Sequence, residues 1–286
     1  MNPDNMNFRQ MSRDEFDVLV DWAADEGWNP GLDDAEVFWT TDPDGFIAAE
    51  IDGELIGGGS IVSYGGRYGF MGFFIVRPDL RGQGLGNRLW HERKRRLQAR
   101  LDPDASIGMD GVFDMQDYYA RGGFQFVCRD LRFEGRGAEL PAAPDVVDAS
   151  SIPFDDLAEY DRLHFPASRT EFLRHWIVRP GGHAVASVTD SSVRGFAVLR
   201  PCRVGHKIGP LFAANGDVAE RLFTTLASRV PNEPIFLDVP EINPDALTLA
   251  GRHGMIEVFG CARMVLGPVP KLPDHEIFGV TTFELG

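Results

Sequence analysis

Apolar and polar positions near the start of the chain repeat with helical spacing and then change to a pattern typical of strands. A helix is predicted over residues 11–26, where Ser12 followed by Glu15 forms a capping box. A shorter amphipathic segment follows at residues 33–39. Three apolar runs, at residues 46–51, 54–64 and 68–76, are then separated by the turns Asp52-Gly53 and Gly65-Gly66. These runs and turns predict an antiparallel meander.

After the meander the pattern alternates between helices and strands. It predicts a helix over residues 84–101, a strand at 107–113, a short helix at 117–121 and a strand at 124–133. A stretch rich in Gly, Ala and Pro follows at residues 135–144, and a similar order of elements then returns. The second set comprises helices at 154–164, 171–177, 217–229 and 244–253, and strands at 183–188, 194–200, 208–212 and 235–239.

This repeated order predicts an α+β fold made of two similar modules. Each module is expected to be a twisted, mostly antiparallel mixed sheet flanked by helices. We place them at residues 1–135 and 154–286, joined by a linker at 136–153, because a chain of 286 residues is long for a single core.

Charge and composition narrow the classes of partner. A formal net charge of -15 disfavours general attraction to nucleic acid or anionic membranes. The three cysteines are far apart without CxxC spacing, and the histidines lack metal-ligand spacing, so no disulfide framework and no metal site is predicted. The sequence shows neither a signal peptide nor an apolar run that could span a bilayer. We therefore expect a cytoplasmic protein, as a monomer or homodimer.

The most informative segment is a glycine-rich turn between an apolar strand and a helix. It reads Arg81-Gly82-Gln83-Gly84-Leu85-Gly86 and follows the strand ending at Val76. Glycines let backbone amides approach an oxyanion, and a helix N-terminus adds unpaired N–H groups. Residues 77–100 also contain eight basic and two acidic side chains, a local cationic excess. A diphosphate site is predicted here, although such turns also serve close packing.

The pattern Arg81-x-x-Gly84-x-Gly86, preceded by Val76-x-Pro78, resembles the acetyl-coenzyme A signature of the GNAT acetyltransferases. It is not a Walker loop, because no Lys-Ser/Thr pair follows the last glycine. The resemblance covers roughly residues 10–133 in element order. With the repeated second module, the chain resembles tandem GNAT proteins whose C-terminal domain is degenerate.

The resemblance implies acetyl-coenzyme A as the cofactor and identifies the residues that would hold it. The backbone near Val76 would pair with the pantetheine arm and polarise the thioester carbonyl, and the amides of residues 81–86 would bind the diphosphate. Arg88 would add charge near the phosphates, or simply lie on a solvated helix face. The implied cofactor-binding residues are Phe74, Ile75, Val76, Arg81, Gly82, Gln83, Gly84, Leu85, Gly86, Asn87 and Arg88.

The resemblance also suggests a general acid. Family members often supply a tyrosine that protonates the departing thiolate, and Tyr119 stands five residues before Phe124, at the family spacing. The alternatives are that Tyr119 caps the core, or that Tyr118 has this role. The sequence departs from the family at Val112 and Met115, where Asn and Ala are common.

A carboxylate is needed to take the proton of the amine. Glu26 and Asp25 at the end of the first helix, and Asp110 in the strand before the tyrosine helix, are the candidates. The alternative for each is a helix cap or a buried hydrogen-bond partner.

The second module has neither the cradle nor the acid. Its corresponding loop, residues 209–220, lacks the Arg-x-x-Gly-x-Gly pattern, and Ala250 occupies the tyrosine position. We expect it to pack on the first module and help wall the acceptor pocket.

The resemblance thus implies an N-acetyltransferase that moves an acetyl group to a primary amine, of a small molecule, by direct attack. The alternatives are a non-catalytic acyl-coenzyme A sensor or scaffold, and an acetyltransferase for protein amines.

Overall fold

The computed structural model describes residues 3–139, 141 and 143–286. The helices of the first half are α1 (Arg13–Asp25), α2 (Asp34–Thr41), α3 (Leu85–Gln98) and α4 (Gln116–Arg121). Its strands are β1 (Met6–Gln10), β2 (Phe46–Ile51), β3 (Glu54–Ser60), β4 (Val62–Tyr64), β5 (Tyr68–Phe70), β6 (Ile75–Val76), β7 (Ser106–Val112) and β8 (Gln125–Arg136).

The second half likewise consists of helices and strands. Its helices are α5 (Phe154–His164), α6 (Thr170–Trp176), α7 (Gly216–Ala227) and α8 (Pro244–Arg252). Its strands are β9 (Val146–Asp148), β10 (His183–Thr189), β11 (Ser192–Pro201), β12 (His206–Ala213), β13 (Pro234–Pro240), β14 (Ile256–Leu266) and β15 (Ile277–Gly279). The predicted α+β class is confirmed. Within the described ranges, no helix combines the length and apolar character needed to cross a membrane.

Helix α1 begins where the sequence predicts. The Ser12 side chain accepts a hydrogen bond from the Glu15 amide, and the Glu15 carboxylate accepts one from the Ser12 amide. This capping box satisfies two N–H groups that a helix start leaves unpaired. The buried face of α1 is the apolar stripe of the sequence pattern, with Phe16 and Leu19 fully buried.

The predicted meander is wrong in one respect, because two of its three runs divide between two sheets. The run at 54–64 breaks after Ser60, and the run at 68–76 breaks over residues 71–74, where Phe73 has a φ of 49°. As a result, β3 and β6 pair in a four-stranded sheet of order β1-β2-β3-β6, while β4 and β5 belong to the larger sheet. The two sheets separate at this point and leave a cleft between them.

The larger sheet runs through both halves of the chain. Its order is β4-β5-β7-β14-β8-β13-β12-β11-β10-β9, with β15 also paired to β12. Strand β14 of the second half lies between β7 and β8 of the first, and β8 lies between β14 and β13. Both halves therefore contribute a mostly antiparallel mixed set of strands flanked by helices, as predicted, and they exchange strands within one sheet.

The segment predicted as a linker contributes structure to this sheet. Residues 146–148 form β9, which pairs antiparallel with β10. Leu140 and Ala142 of the same segment lie outside the described residues.

The halves also share a hydrophobic core and buried charges. Phe38 of α2 stacks on Trp176 of α6 with ring centroids 6.1 Å apart. The buried Asp34 carboxylate accepts a hydrogen bond from Arg179 at 2.7 Å and lies 3.2 Å from Arg200 Nε. Since both arginines come from the second half, these contacts fix its position against the first.

Candidate functional site

A cavity of about 450 Å³ opens where the two sheets separate. The first half contributes most of its wall through β6, α3, β7 and α4. The second half adds Phe259 and Cys261 from β14, and Phe283 and Glu284 from the segment after β15. Strand exchange explains this shared wall, because β14 lies directly beside β7.

One end of the cavity is formed by the glycine-rich turn before α3. Gly82 and Gly84 have φ values of 78° and 80°, a backbone region that favours glycine, and a side chain at either position would point into open space. Gly84 is the N-cap of α3, and no side chain caps this helix. The first amides of α3 have no partner inside the helix, so they are available to an anionic ligand.

The predicted cofactor-binding residues fall into three groups. The first lines the cavity and consists of Phe74, Ile75, Val76, Arg81, Gly82, Gly86 and Asn87. The second, Gln83, Gly84 and Arg88, is exposed on the turn and on the first turn of α3. Leu85 is the exception, because its side chain is buried in the core and only its backbone faces the turn.

The local cationic excess is largely neutralised by ion pairs. Arg81 donates to the Val76 carbonyl oxygen at 2.9 Å and also pairs with Glu26. Arg95 and Arg96 both pair with Glu92. A diphosphate at this turn would therefore meet backbone amides more than free side-chain charge.

Arg93 is a site residue that the sequence reasoning did not identify. It is fully buried, lines the cavity, and donates to the carbonyl oxygens of Ser60 and Gly72 at 2.7 and 2.5 Å. Ser60 and Gly72 are themselves joined, because the Ser60 amide donates to the Gly72 carbonyl oxygen at 2.8 Å, so the guanidinium holds together the point where both runs pass from one sheet to the other. Burial lowers the pKa of Arg93 to about 9. Its only signal in the sequence was a charge on the apolar side of α3.

Tyr119 lies buried in the cavity wall on α4. Its ring packs against Trp90, with the ring centroids 4.9 Å apart. It also covers Gly111 of β7, where a Cβ atom would overlap the tyrosine ring. Its hydroxyl makes no hydrogen bond within the part of the chain described. Burial raises the pKa of Tyr119 to about 12, with Arg93 opposing the shift. The phenol therefore stays protonated at neutral pH and can donate a proton into the cavity.

Tyr118 points differently. It is half-exposed, and its hydroxyl donates to Asn87 Oδ1 at 2.8 Å, next to the glycine-rich turn. Because that hydroxyl already has an acceptor, the geometry favours Tyr119 over Tyr118 as the acid.

The carboxylates predicted as bases occupy different environments. Glu26 lines the cavity but pairs with Arg81, and Asp25 is exposed outside the cavity lining. Asp110 lines the cavity with both oxygens bound by Arg263 of β14, one of them at 2.8 Å. Burial raises the pKa of Asp110, and repulsion from the buried Asp130 carboxylate adds to the rise. Arg263, which also pairs with Asp130, opposes it. Their roles as bases remain predictions.

Glu284 is a second residue that the sequence reasoning missed. It is 4% exposed and lines the cavity, but it lies far along the chain from every motif. No local pattern marked it, because only the return of the chain after β15 brings it to the cleft.

The corresponding helix start in the second half is built differently. The Asn215 side chain caps α7 by accepting a hydrogen bond from the Val218 amide at 3.0 Å. A cavity of about 200 Å³ beside this cap is lined by Asp217 and Asp245. A side-chain cap and two carboxylates oppose diphosphate binding there.

Comparisons with known proteins agree with this arrangement. The Acetyltransferase (GNAT) family model matches residues 8–124, and an Acetyltransferase (GNAT) domain model matches residues 157–279. A holothin acyltransferase of Pseudoalteromonas sp. (strain SANK 73390) is 28% identical over 277 residues, which cover 96% of this chain and 92% of that protein. An acetyltransferase of Photorhabdus laumondii is 32% identical over 141 residues, covering 47% of this chain and 90% of that protein.

A solved structure is similar over nearly the whole length. The crystal structure of a putative acetyltransferase from Pyrococcus horikoshii superposes with a TM-score of 0.84 at 23% identity, covering 99% of this chain and 96% of that one. This likeness extends the shared fold through both halves.

Proposed function

Because this chain belongs to the GNAT family of acetyltransferases, we propose that it transfers an acetyl group from acetyl-coenzyme A to a primary amine of a small molecule. The observation that supports this proposal is that Gly86 and Asn87, in the uncapped first turn of α3, line the same cavity as the buried Tyr119. The free amides at the start of α3 suit the diphosphate of a coenzyme A thioester, and the Tyr119 hydroxyl suits its departing sulfur.

The residues at the turn fit the cofactor. The amides of residues 81–86 would take the diphosphate, because positive φ values at Gly82 and Gly84 turn the backbone without side chains in the way. Strand β6 has a partner strand on one side only, β3, so its backbone groups other than the Val76 carbonyl oxygen, which accepts from Arg81, are available on the other side to the pantetheine arm. The thioester supplies the activated acyl group, and the chain's own residues position it and manage protons.

Direct attack of the amine on the thioester needs a proton acceptor for nitrogen and a proton donor for sulfur. Tyr119 supplies the donor, since burial keeps its phenol protonated until a basic thiolate develops beside it. General acid assistance of this kind contributes about 10²- to 10⁴-fold. No residue needs to carry the acyl group covalently.

The acceptor end of the cavity supports a small, apolar amine. Its walls include the aromatic side chains Trp28, Phe73, Phe259 and Phe283. Two of these, Phe259 and Phe283, come from the second half. A concave pocket with aromatic walls favours a compact acceptor over a lysine presented on a protein surface.

Thiol release tests the proposal. The full chain is incubated with acetyl-coenzyme A and a panel of arylalkyl amines, aliphatic amines and a lysine-containing peptide. Amine-dependent release of coenzyme A with an arylalkyl amine is expected. Tight binding of acetyl-coenzyme A without release for any amine would instead favour the sensor or scaffold. Release with the peptide alone would favour the protein-amine acetyltransferase.

A further inference from the structure

The segment of residues 280–286 is threaded between the two halves, and every residue in it is buried. Tyr64 donates to the Leu285 carbonyl oxygen at 2.8 Å, and Arg169 donates to the Gly286 carbonyl oxygen at 3.1 Å. The Val280 amide donates to the Asp238 carbonyl oxygen of β13 at 2.8 Å. These bonds hold the segment at both ends, so the side chains between them have fixed positions.

The segment reaches the cavity at the point where the sheets separate. A Cβ atom at Gly72 would overlap the Glu284 carbonyl oxygen, so only glycine permits this approach. The Ser60 hydroxyl lies 3.5 Å from the same oxygen. Glu284 therefore contacts Gly72, the residue directly before the stretch 73–76 that leads to the cofactor end of the cavity.

No described residue forms a hydrogen bond or an ion pair with the Glu284 carboxylate. Its Oε2 atom is buried without a hydrogen bond, and no Lys, Arg or His nitrogen of the described residues lies within ion-pair distance. The other two cavity carboxylates are engaged, Glu26 by Arg81 and Asp110 by Arg263. A buried, unpartnered carboxylate is unfavourable, and a ligand that brings an N–H donor would satisfy it.

The charges around Glu284 leave it available. The charged groups that interact with it electrostatically include Arg132 of β8, Arg200 of β11 and Asp110 of β7. Arg132 is held by Asp238 with bonds of 2.6 and 2.8 Å, and Arg200 faces Asp34. Arg132 is therefore engaged by another carboxylate, whereas Arg200 shares Asp34 with Arg179, and neither guanidinium lies within ion-pair distance of Glu284.

We propose that Glu284, supplied by the second half of the chain, is the catalytic base that binds the acceptor amine and takes its proton. The proposal rests on the proposed function. The ammonium nitrogen gives one proton to the Glu284 carboxylate, and its lone pair forms the new C–N bond to the thioester carbonyl carbon. The C–S bond breaks, the thiolate takes a proton from Tyr119, and the nitrogen gives up a second proton that restores the phenol.

The test compares Glu284→Gln with Glu257→Gln, a matched change at an exposed glutamate of β14 outside the cavity. With the best amine of the panel at pH 7, we expect Glu284→Gln to lower kcat by about 10²-fold or more. Acetyl-coenzyme A affinity should stay within about twofold, and Glu257→Gln should match the wild type in both. The melting temperature of Glu284→Gln should equal or exceed that of the wild type, because an unpaired buried charge is removed.

The pH profile separates a base from a structural residue. As pH rises from 7 towards the pKa of the free amine, the loss of kcat in Glu284→Gln relative to the wild type should shrink, because the solution then supplies deprotonated amine. A deficit that is constant with pH, or a kcat within about threefold of the wild type, would overturn the proposal. If Glu284→Gln fails to fold, Glu284→Asp provides the same comparison with the charge retained and the carboxylate withdrawn.

A binding measurement keeps this proposal separate from the proposed function. The coenzyme A-bound protein is titrated calorimetrically with 2-phenylethylammonium chloride. Affinity at least tenfold weaker in Glu284→Gln than in the wild type supports recognition by Glu284, even if no amine gives turnover. Equal affinity in the two proteins, or no binding to either, would overturn it, whereas wild-type binding without thiol release would count against the proposed function alone.

Discussion

Replacing Tyr119 by Phe removes one hydroxyl and leaves the ring in place. The ring keeps its contact with Trp90 and its position over Gly111, and the hydroxyl has no hydrogen-bond partner in the described structure to lose. We therefore expect the free energy of unfolding to change by less than about 0.5 kcal/mol. Turnover should behave differently, because the thiolate would leave without a proton donor. A loss of about 10²-fold, equivalent to about 2.7 kcal/mol of transition-state stabilisation, is expected.

The assay measures kcat by thiol release with a saturating amine, together with acetyl-coenzyme A affinity and the melting temperature. The matched control is Tyr160→Phe, which removes a buried hydroxyl outside the cavity that donates to the Arg194 carbonyl oxygen at 3.1 Å. That variant should lose about 1 kcal/mol of stability and keep its turnover. Tyr119→Phe with wild-type kcat, or with a kcat loss matched by an equal loss of cofactor affinity, would refute the assignment of Tyr119 as the acid.

Three further predictions concern the cradle and the association of the halves. Gly84→Glu should abolish acetyl-coenzyme A binding in a folded protein, and calorimetry on the wild type should find one site per chain; unchanged affinity, or two equivalent sites, would contradict the assignment. Asp34→Asn should destabilise the protein by about 3 to 5 kcal/mol in denaturant titrations, because Arg179 and Arg200 would lose their buried partner. Burial alone would raise the pKa of Asp34, but these arginines lower it to about 2, so its contribution is present above pH ~4 and should fade as pH drops towards 2; a flat acid profile would argue against it. A fragment of residues 1–139 should fail to unfold cooperatively by circular dichroism, since it lacks β14.

Local patterns in the sequence were sufficient where short-range physics decides the structure. The capping box at Ser12 and the apolar stripe of α1 predicted that helix to within two residues at each end. The glycines at 82 and 84 predicted a turn that opens a helix, and both have the positive φ that explains their use. In each case the residues that determine the conformation are neighbours in the chain.

The remaining features depend on contacts between distant segments. Nothing in the apolar run 54–64 indicates that its two parts join different sheets, because β-forming composition continues across Ile61. Strand β14 was not predicted, and its place between β7 and β8 cannot follow from its own sequence. The sequence analysis singled out neither Arg93 nor Glu284, since the burial of each depends on the cleft that the separated sheets create.

The second half shows a GNAT domain whose corresponding helix start is capped by a side chain. An uncapped helix start binds an anion at the expense of local stability, whereas the Asn215 cap of α7 satisfies a donor internally and removes the need for a ligand. Once capped, the module contributes elsewhere, because β14 fills the gap between β7 and β8 and brings Arg263 to Asp110. Loss of this half would unpair two strands and remove one wall of the acceptor pocket together. Stability of the first half and completeness of its site therefore depend on the same strand, which gives a physical reason for both halves to remain in one chain.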